Sequence, residues 1–143
     1  MLATLLELSS VAARSLTLVE GQDAQAPAAT ELTGLEVGRN ADGVTVTIKG
    51  NGRLSYGTLS EADRPPLRLV VDFPGVRPVV PPATPGQGPL RRVRVALNNA
   101  NPLVTRVVLD LDVKAAFTVR PSPDGREMTI TLAAQNGEQT ALE

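Results

Sequence analysis

The sequence predicts an all-β domain, a small sandwich of two sheets made from about eight short strands. Two observations carry this prediction. Short runs alternate apolar and polar residues, the period of a strand with one buried face. Gly, Asp, Asn and Pro separate those runs at short intervals, as tight turns require. The stretch PGVRPVVPPATPGQGP, residues 74–89, holds six prolines and three glycines. So many prolines are excluded from a central strand, and the stretch reads as one long Pro/Gly-rich loop between strands.

Residues 1–30 read as an N-terminal extension or linker. Within them, 2–13 admits a short helix with Leu2, Leu5 and Leu6 on one face; alternatively RSLTLVEG, 14–21, is an edge strand. QDAQAPAAT, 22–30, is small, polar and Pro-containing, the composition of a linker. The domain proper spans 31–133, and 134–143 forms a C-terminal tail.

In the first run of the domain, LTGLEVG, Leu35 and Val37 share a face. Asp42-Gly43 is a strong hairpin signal. VTVTI, 44–48, then puts Val44, Val46 and Ile48 inward and Thr45 and Thr47 outward. After a Gly-Asn-Gly turn at 50–52 come RLSYGTL (53–59) and LRLVVDF (67–73). Beyond the Pro-rich loop lie LRRVRVAL (90–97), VTRVVLDL (104–111), AFTVR (116–120) and EMTITL (127–132), the last two joined by a Pro123-Asp124-Gly125 turn. Strands before and after the loop are equal in number, which suggests a four-stranded layer from each half.

Composition excludes several classes of site. The chain of 143 residues has no Cys, His or Trp, one Tyr and two Phe. Disulfides, thiolate nucleophiles, the commonest general base and the commonest metal ligand are therefore missing. So is the aromatic platform on which single-stranded nucleic acids stack. A formal net charge of −1 argues against nucleic acid as a partner. No apolar run approaches the ~20 residues of a membrane helix, so direct membrane insertion by this chain is not expected. MLATLLELSS lacks a basic start, and Glu7 interrupts it, which makes it a poor secretory leader. The chain is then either cytoplasmic or a piece of an exported protein.

Charges are set into the most apolar strands. In Arg68-Leu69-Val70-Val71-Asp72-Phe73, alternation sends Leu69, Val71 and Phe73 inward and Arg68, Val70 and Asp72 outward. Arg106-Val107-Val108-Leu109-Asp110-Leu111 repeats the pattern, with Arg106, Val108 and Asp110 outward. Arg and Asp four residues apart on one strand stand about 13 Å apart and cannot pair. With the two strands antiparallel and in register, Arg68 would meet Asp110 and Asp72 would meet Arg106. Asp72 and Asp110 are thus expected as structural cross-strand charges, each pair contributing about 0.2–1 kcal/mol. LRRVRVAL adds Arg92 and Arg94 to the same outer face and turns Val93, Val95 and Leu97 inward; Arg91 falls near the loop. Arg68, Arg92, Arg94 and Arg106 together could form a cationic strip for carboxylates or phosphates, or an ordinary solvated face. Asn98 and Asn101 could hydrogen-bond an amide-rich ligand, or serve as turn chemistry.

The ordered set PPLRLVVDFPGV, Pro/Gly-rich loop, LRRVRVA, TRVVLDL and FTVRPSPDGREMTITL resembles the AMIN domain over roughly 31–133. That resemblance implies a β-sandwich of two small sheets, a periplasmic location and no catalysis. It implies a module that binds peptidoglycan and positions a cell-envelope machine. Such domains stand on the N-terminal side of outer-membrane secretins of type IV pili, and in periplasmic N-acetylmuramoyl-L-alanine amidases. A type IV pilus secretin is the expected parent, with other pilus or envelope assembly proteins as partners; a cell-division amidase is the alternative. The Pro-rich loop is longer than the family pattern, and 1–30 has no counterpart in it. A protein–protein adaptor is a second reading, with PVVPPATP, 78–85, offered as a polyproline ligand. An enzyme is a third: Asp110 with Asp112 or Asp72 would act as an acid–base pair, and Asp110-Leu-Asp also resembles half a calcium site. Lacking His, Cys and a Gly-rich phosphate loop, the sequence disfavours catalysis, and no catalytic residue, metal ligand or cofactor is assigned.

Overall fold

The computed structural model describes residues 26–133. The helix considered at 2–13, the alternative strand at 14–21 and the tail at 134–143 lie outside the described residues. The described chain is all-β and forms two five-stranded sheets.

Strand β1 (Glu31–Asn40) turns at Asp42-Gly43 into β2 (Gly43–Gly50), and the two pair antiparallel. The chain then crosses to the other sheet. The expected strand at 53–59 is displaced by that crossing, and β3 is Thr58–Glu61. Strand β4 (Arg68–Pro74) follows, then two short strands inside the Pro-rich loop, β5 (Arg77–Pro78) and β6 (Ala83–Pro85). Next come β7 (Leu90–Ala100), β8 (Leu103–Leu111), β9 (Phe117–Pro121) and β10 (Glu127–Ala133). One sheet has the order β5-β1-β2-β10-β9 and the other β3-β4-β8-β7-β6.

Two expectations about layering are corrected. The sheets are not the two halves of the sequence: β10 pairs with β2, and β8 with β4, so each sheet draws on both halves. Alternation identifies strands but is blind to such long-range pairing. The Pro-rich stretch is also more than a loop. From β4 it reaches the edge of the opposite sheet as β5, returns to the edge of β4's own sheet as β6, and so straps one side of the sandwich. Its prolines are tolerated because edge strands leave half their N–H groups unused. Val76 of this strap is 3% exposed. The carbonyl of Val76 accepts a 2.6 Å hydrogen bond from the hydroxyl of Thr105, the one fully enclosed polar side chain of β8.

The inward residues read from alternation meet in one core. Val44, Val46 and Ile48 of β2 lie beside Met128, Ile130 and Leu132 of β10; facing them are Leu69, Val71 and Phe73 of β4 with Val107 and Leu109 of β8. Burying one such side chain contributes about 1.5–3 kcal/mol. Leu97 is the exception. It points inward in register but is 48% exposed, because β7 runs on to Ala100 and a bulge lies between Leu97 and Asn99.

Residues 26–30, within the stretch read as linker, are tied to the domain. Ala26 and Ala29 are buried. Ala29 donates its N–H to Arg53 O at 2.8 Å, and Arg53 donates to Pro27 O. Gly52 lies so close to this segment that a Cβ there would stand 2.5 Å from the Pro27 carbonyl.

Candidate functional site

The outer face of β4-β8-β7 carries the charges singled out in the sequence. Register fixes their rows. Arg68, Asp110 and Arg92 stand side by side across the three strands, followed by Val70, Val108 and Arg94, and then by Asp72, Arg106 and Ala96. Neighbours in a row are about 4.8 Å apart. Val108, flanked in its row by Val70 and Arg94, is only 9% exposed despite facing outward.

The two carboxylates behave differently. Asp72 accepts two hydrogen bonds from Arg106, from Nε at 2.8 Å and Nη2 at 3.0 Å, a closed bidentate pair. Its net worth is on the order of 1 kcal/mol, because the guanidinium is 42% exposed and solvent screens it. Asp110 stands opposite Arg68 but bonds to the other side. Its Oδ2 accepts from Arg92 Nε (2.8 Å) and Arg94 Nε (2.6 Å), and its Oδ1 from Arg94 Nη2 (2.9 Å). The expected Arg68–Asp110 pair is therefore replaced. Two guanidinium groups on β7, one with a full fork, outcompete the single one on β4. The hydrogen bond from Arg94 is the main reason the Asp110 carboxyl lies below its ordinary value, with Arg92 adding and burial opposing.

Around this row the surface sinks into a groove of about 360 Å³. Arg68, Arg91, Arg92 and Arg94 line it together with Asp110 and Asp112, four cations against two carboxylates. Pro65, Pro66 and Leu67 form the wall beside β4. Arg91 is held by Asp112 at 2.9 Å. Among the described residues no carboxylate lies within ion-pair distance of Arg68, and Arg92 uses only Nε, leaving both of its Nη groups without a protein partner.

Sequence reasoning missed Arg91 and the proline wall. A signal for Arg91 was present: two consecutive polar residues break the alternation of LRRVRV, and the structure has a bulge between Leu90 and Arg92 that leaves Arg91 and Arg92 both exposed. Asn98 and Asn101 do not join the groove. They lie at the far end of the β7–β8 hairpin, where Asn99 Nδ2 caps the Pro102 carbonyl at 2.7 Å. From Leu103 to Asp110 is about 23 Å at ~3.3 Å per residue. Arg106 is also separate, engaged by Asp72.

The chemistry open to the groove is binding of negative charge. Asp110 is held ionised by two guanidinium groups, the opposite of what a general acid needs. Among the described residues no three His, Cys, Asp or Glu side chains are grouped to hold a metal ion. A larger depression of about 460 Å³ on the outer face of the other sheet is lined by Thr118, Thr129, Thr131, Arg120 and Asp42. Ala116, Phe117 and Ala133 share the lining with the three threonines, and its single cation among the described residues, Arg120, is matched by the carboxylate of Asp42. No family model and no curated protein matches the chain.

Proposed function

We propose that the protein is a non-catalytic module that binds peptidoglycan through the outer face of β4-β8-β7 and so positions a periplasmic cell-envelope machine, of the type IV pilus secretin kind. The single observation carrying this reading is the groove's excess of guanidinium over carboxylate, with Arg68 and the ends of Arg92 unpaired among the described residues. Peptidoglycan offers stem-peptide carboxylates and amides, which guanidinium groups recognise without aromatic stacking. The resemblance of 31–133 to the AMIN domain supports the same reading. Each site is weak on its own, and a multimeric parent would supply avidity.

Co-sedimentation with purified sacculi tests the proposal. The protein is expected to pellet at low salt and to be released as ionic strength rises, because exposed charge contacts are screened beyond about 10 Å at 0.1 M. Retention in the supernatant at low salt would refute it. A stoichiometric protein partner captured from envelope lysate, without wall binding, would favour the adaptor reading.

A further inference from the structure

Resting on that reading, the geometry points to a division of labour among the four arginines: Arg94 and Arg106 hold the sheet's own carboxylates, while Arg68 and Arg92 form an oxyanion subsite across Asp110. Arg94 and Arg106 each spend a two-point fork on a protein carboxylate. They have little left to offer a ligand in the planar geometry that guanidinium recognition uses. Arg92 is anchored to Asp110 through Nε alone, so its stem is held while both Nη groups have no hydrogen-bond partner among the described residues. Arg68 is the neighbour of Asp110 on the other side in the same row, with no carboxylate of its own among the described residues. The two guanidinium groups spring from strands two spacings apart, about 10 Å, and converge on one groove. Asp110, already shared by Arg92 and Arg94 and only 12% exposed in its side chain, pre-orients the site rather than repelling an anion from it.

The ligand group is a carboxylate or a phosphate oxyanion; both fit two guanidinium donors. The experiment is an NMR titration of the full chain that follows the Arg Nε–Hε resonances. The probes are a soluble muropeptide with free stem-peptide carboxylates, the same muropeptide with those carboxylates amidated, and inorganic phosphate. The free-acid muropeptide is expected to shift Arg68 and Arg92 but not Arg106, and amidation to weaken binding by roughly tenfold. Arg68→Gln and Arg92→Gln are each expected to produce a similar loss, whereas Arg106→Gln leaves binding within about twofold.

Phosphate binding without carboxylate binding would keep the subsite and assign it to a phosphoester. Equal affinity for the amidated probe, or shifts centred on Arg106, would overturn it. Failure here is distinguishable from failure of the wall-binding reading. If sacculi pellet the Arg68→Gln/Arg92→Gln protein as well as the parent, the subsite is wrong and wall binding stands. If sacculi pellet neither protein while phosphate shifts Arg68 and Arg92, wall binding is wrong and the subsite stands.

Discussion

Asp110 is 8% exposed and anchors three hydrogen bonds from two arginines. Asp110→Asn removes the charge and leaves Arg92 and Arg94 opposed without a counter-ion. Because both guanidinium groups are about half in solvent, the cost falls below that of breaking a fully buried pair, at about 1–3 kcal/mol near neutral pH by chemical denaturation. The loss is expected to depend on pH. The folded carboxyl titrates below its unfolded value of about 3.9. Its stabilisation is therefore fully present above that pH and is lost as pH falls through the folded value. The stability gap between parent and Asp110→Asn should narrow below about pH 4; a gap unchanged down to the acid limit would contradict this role. Arg68, in contrast, holds no carboxylate among the described residues, so Arg68→Gln is expected to stay within about 0.5 kcal/mol of the parent.

Within β4, alternate residues lead different lives. Leu69, Val71 and Phe73 are at most 1% exposed, whereas Val70 stands among the outer charges. Phe73→Ala is expected to cost about 3–5 kcal/mol, and Val70→Ala at most about 1 kcal/mol, in the same denaturant titration. Comparable losses at the two positions would mean that the inner and outer faces are misassigned. These faces were legible in the sequence because period-two alternation is a local property, and so was the in-register facing of Asp72 with Arg106. The Asp42-Gly43 and Pro123-Asp124-Gly125 turns were legible for a related reason: each needs a residue with positive φ, and Gly43 and Gly125 adopt φ 141° and 79°. What could not be read was anything set by a third strand. Arg68–Asp110 followed from two strands alone, and the arrival of β7 on the other side of Asp110 redirected the carboxylate. The edge strands within 74–89 were hidden because proline density argues against strand in general, yet permits it where one side of the backbone is unpaired. Arg91 was obscured by a bulge, which shifts alternation by one residue.

The described residues form two sheets packed over an apolar interior, with the arginine-rich groove on the outer face of β4-β8-β7 and a more evenly balanced mix of charges on the other sheet. The strap 74–89 links the edges of both sheets on one side, and the crossing at 51–57 joins β2 to β3 on the other. Arg92, whose stem is anchored on Asp110, loses little freedom if a ligand reaches its Nη groups. The most direct test of the account is sacculus co-sedimentation of the Arg68→Gln/Arg92→Gln protein beside the parent, with thermal unfolding measured on both. The variant is expected to unfold within a few degrees of the parent and to stay in the supernatant under conditions that pellet the parent. A folded variant that pellets as well as the parent would contradict it.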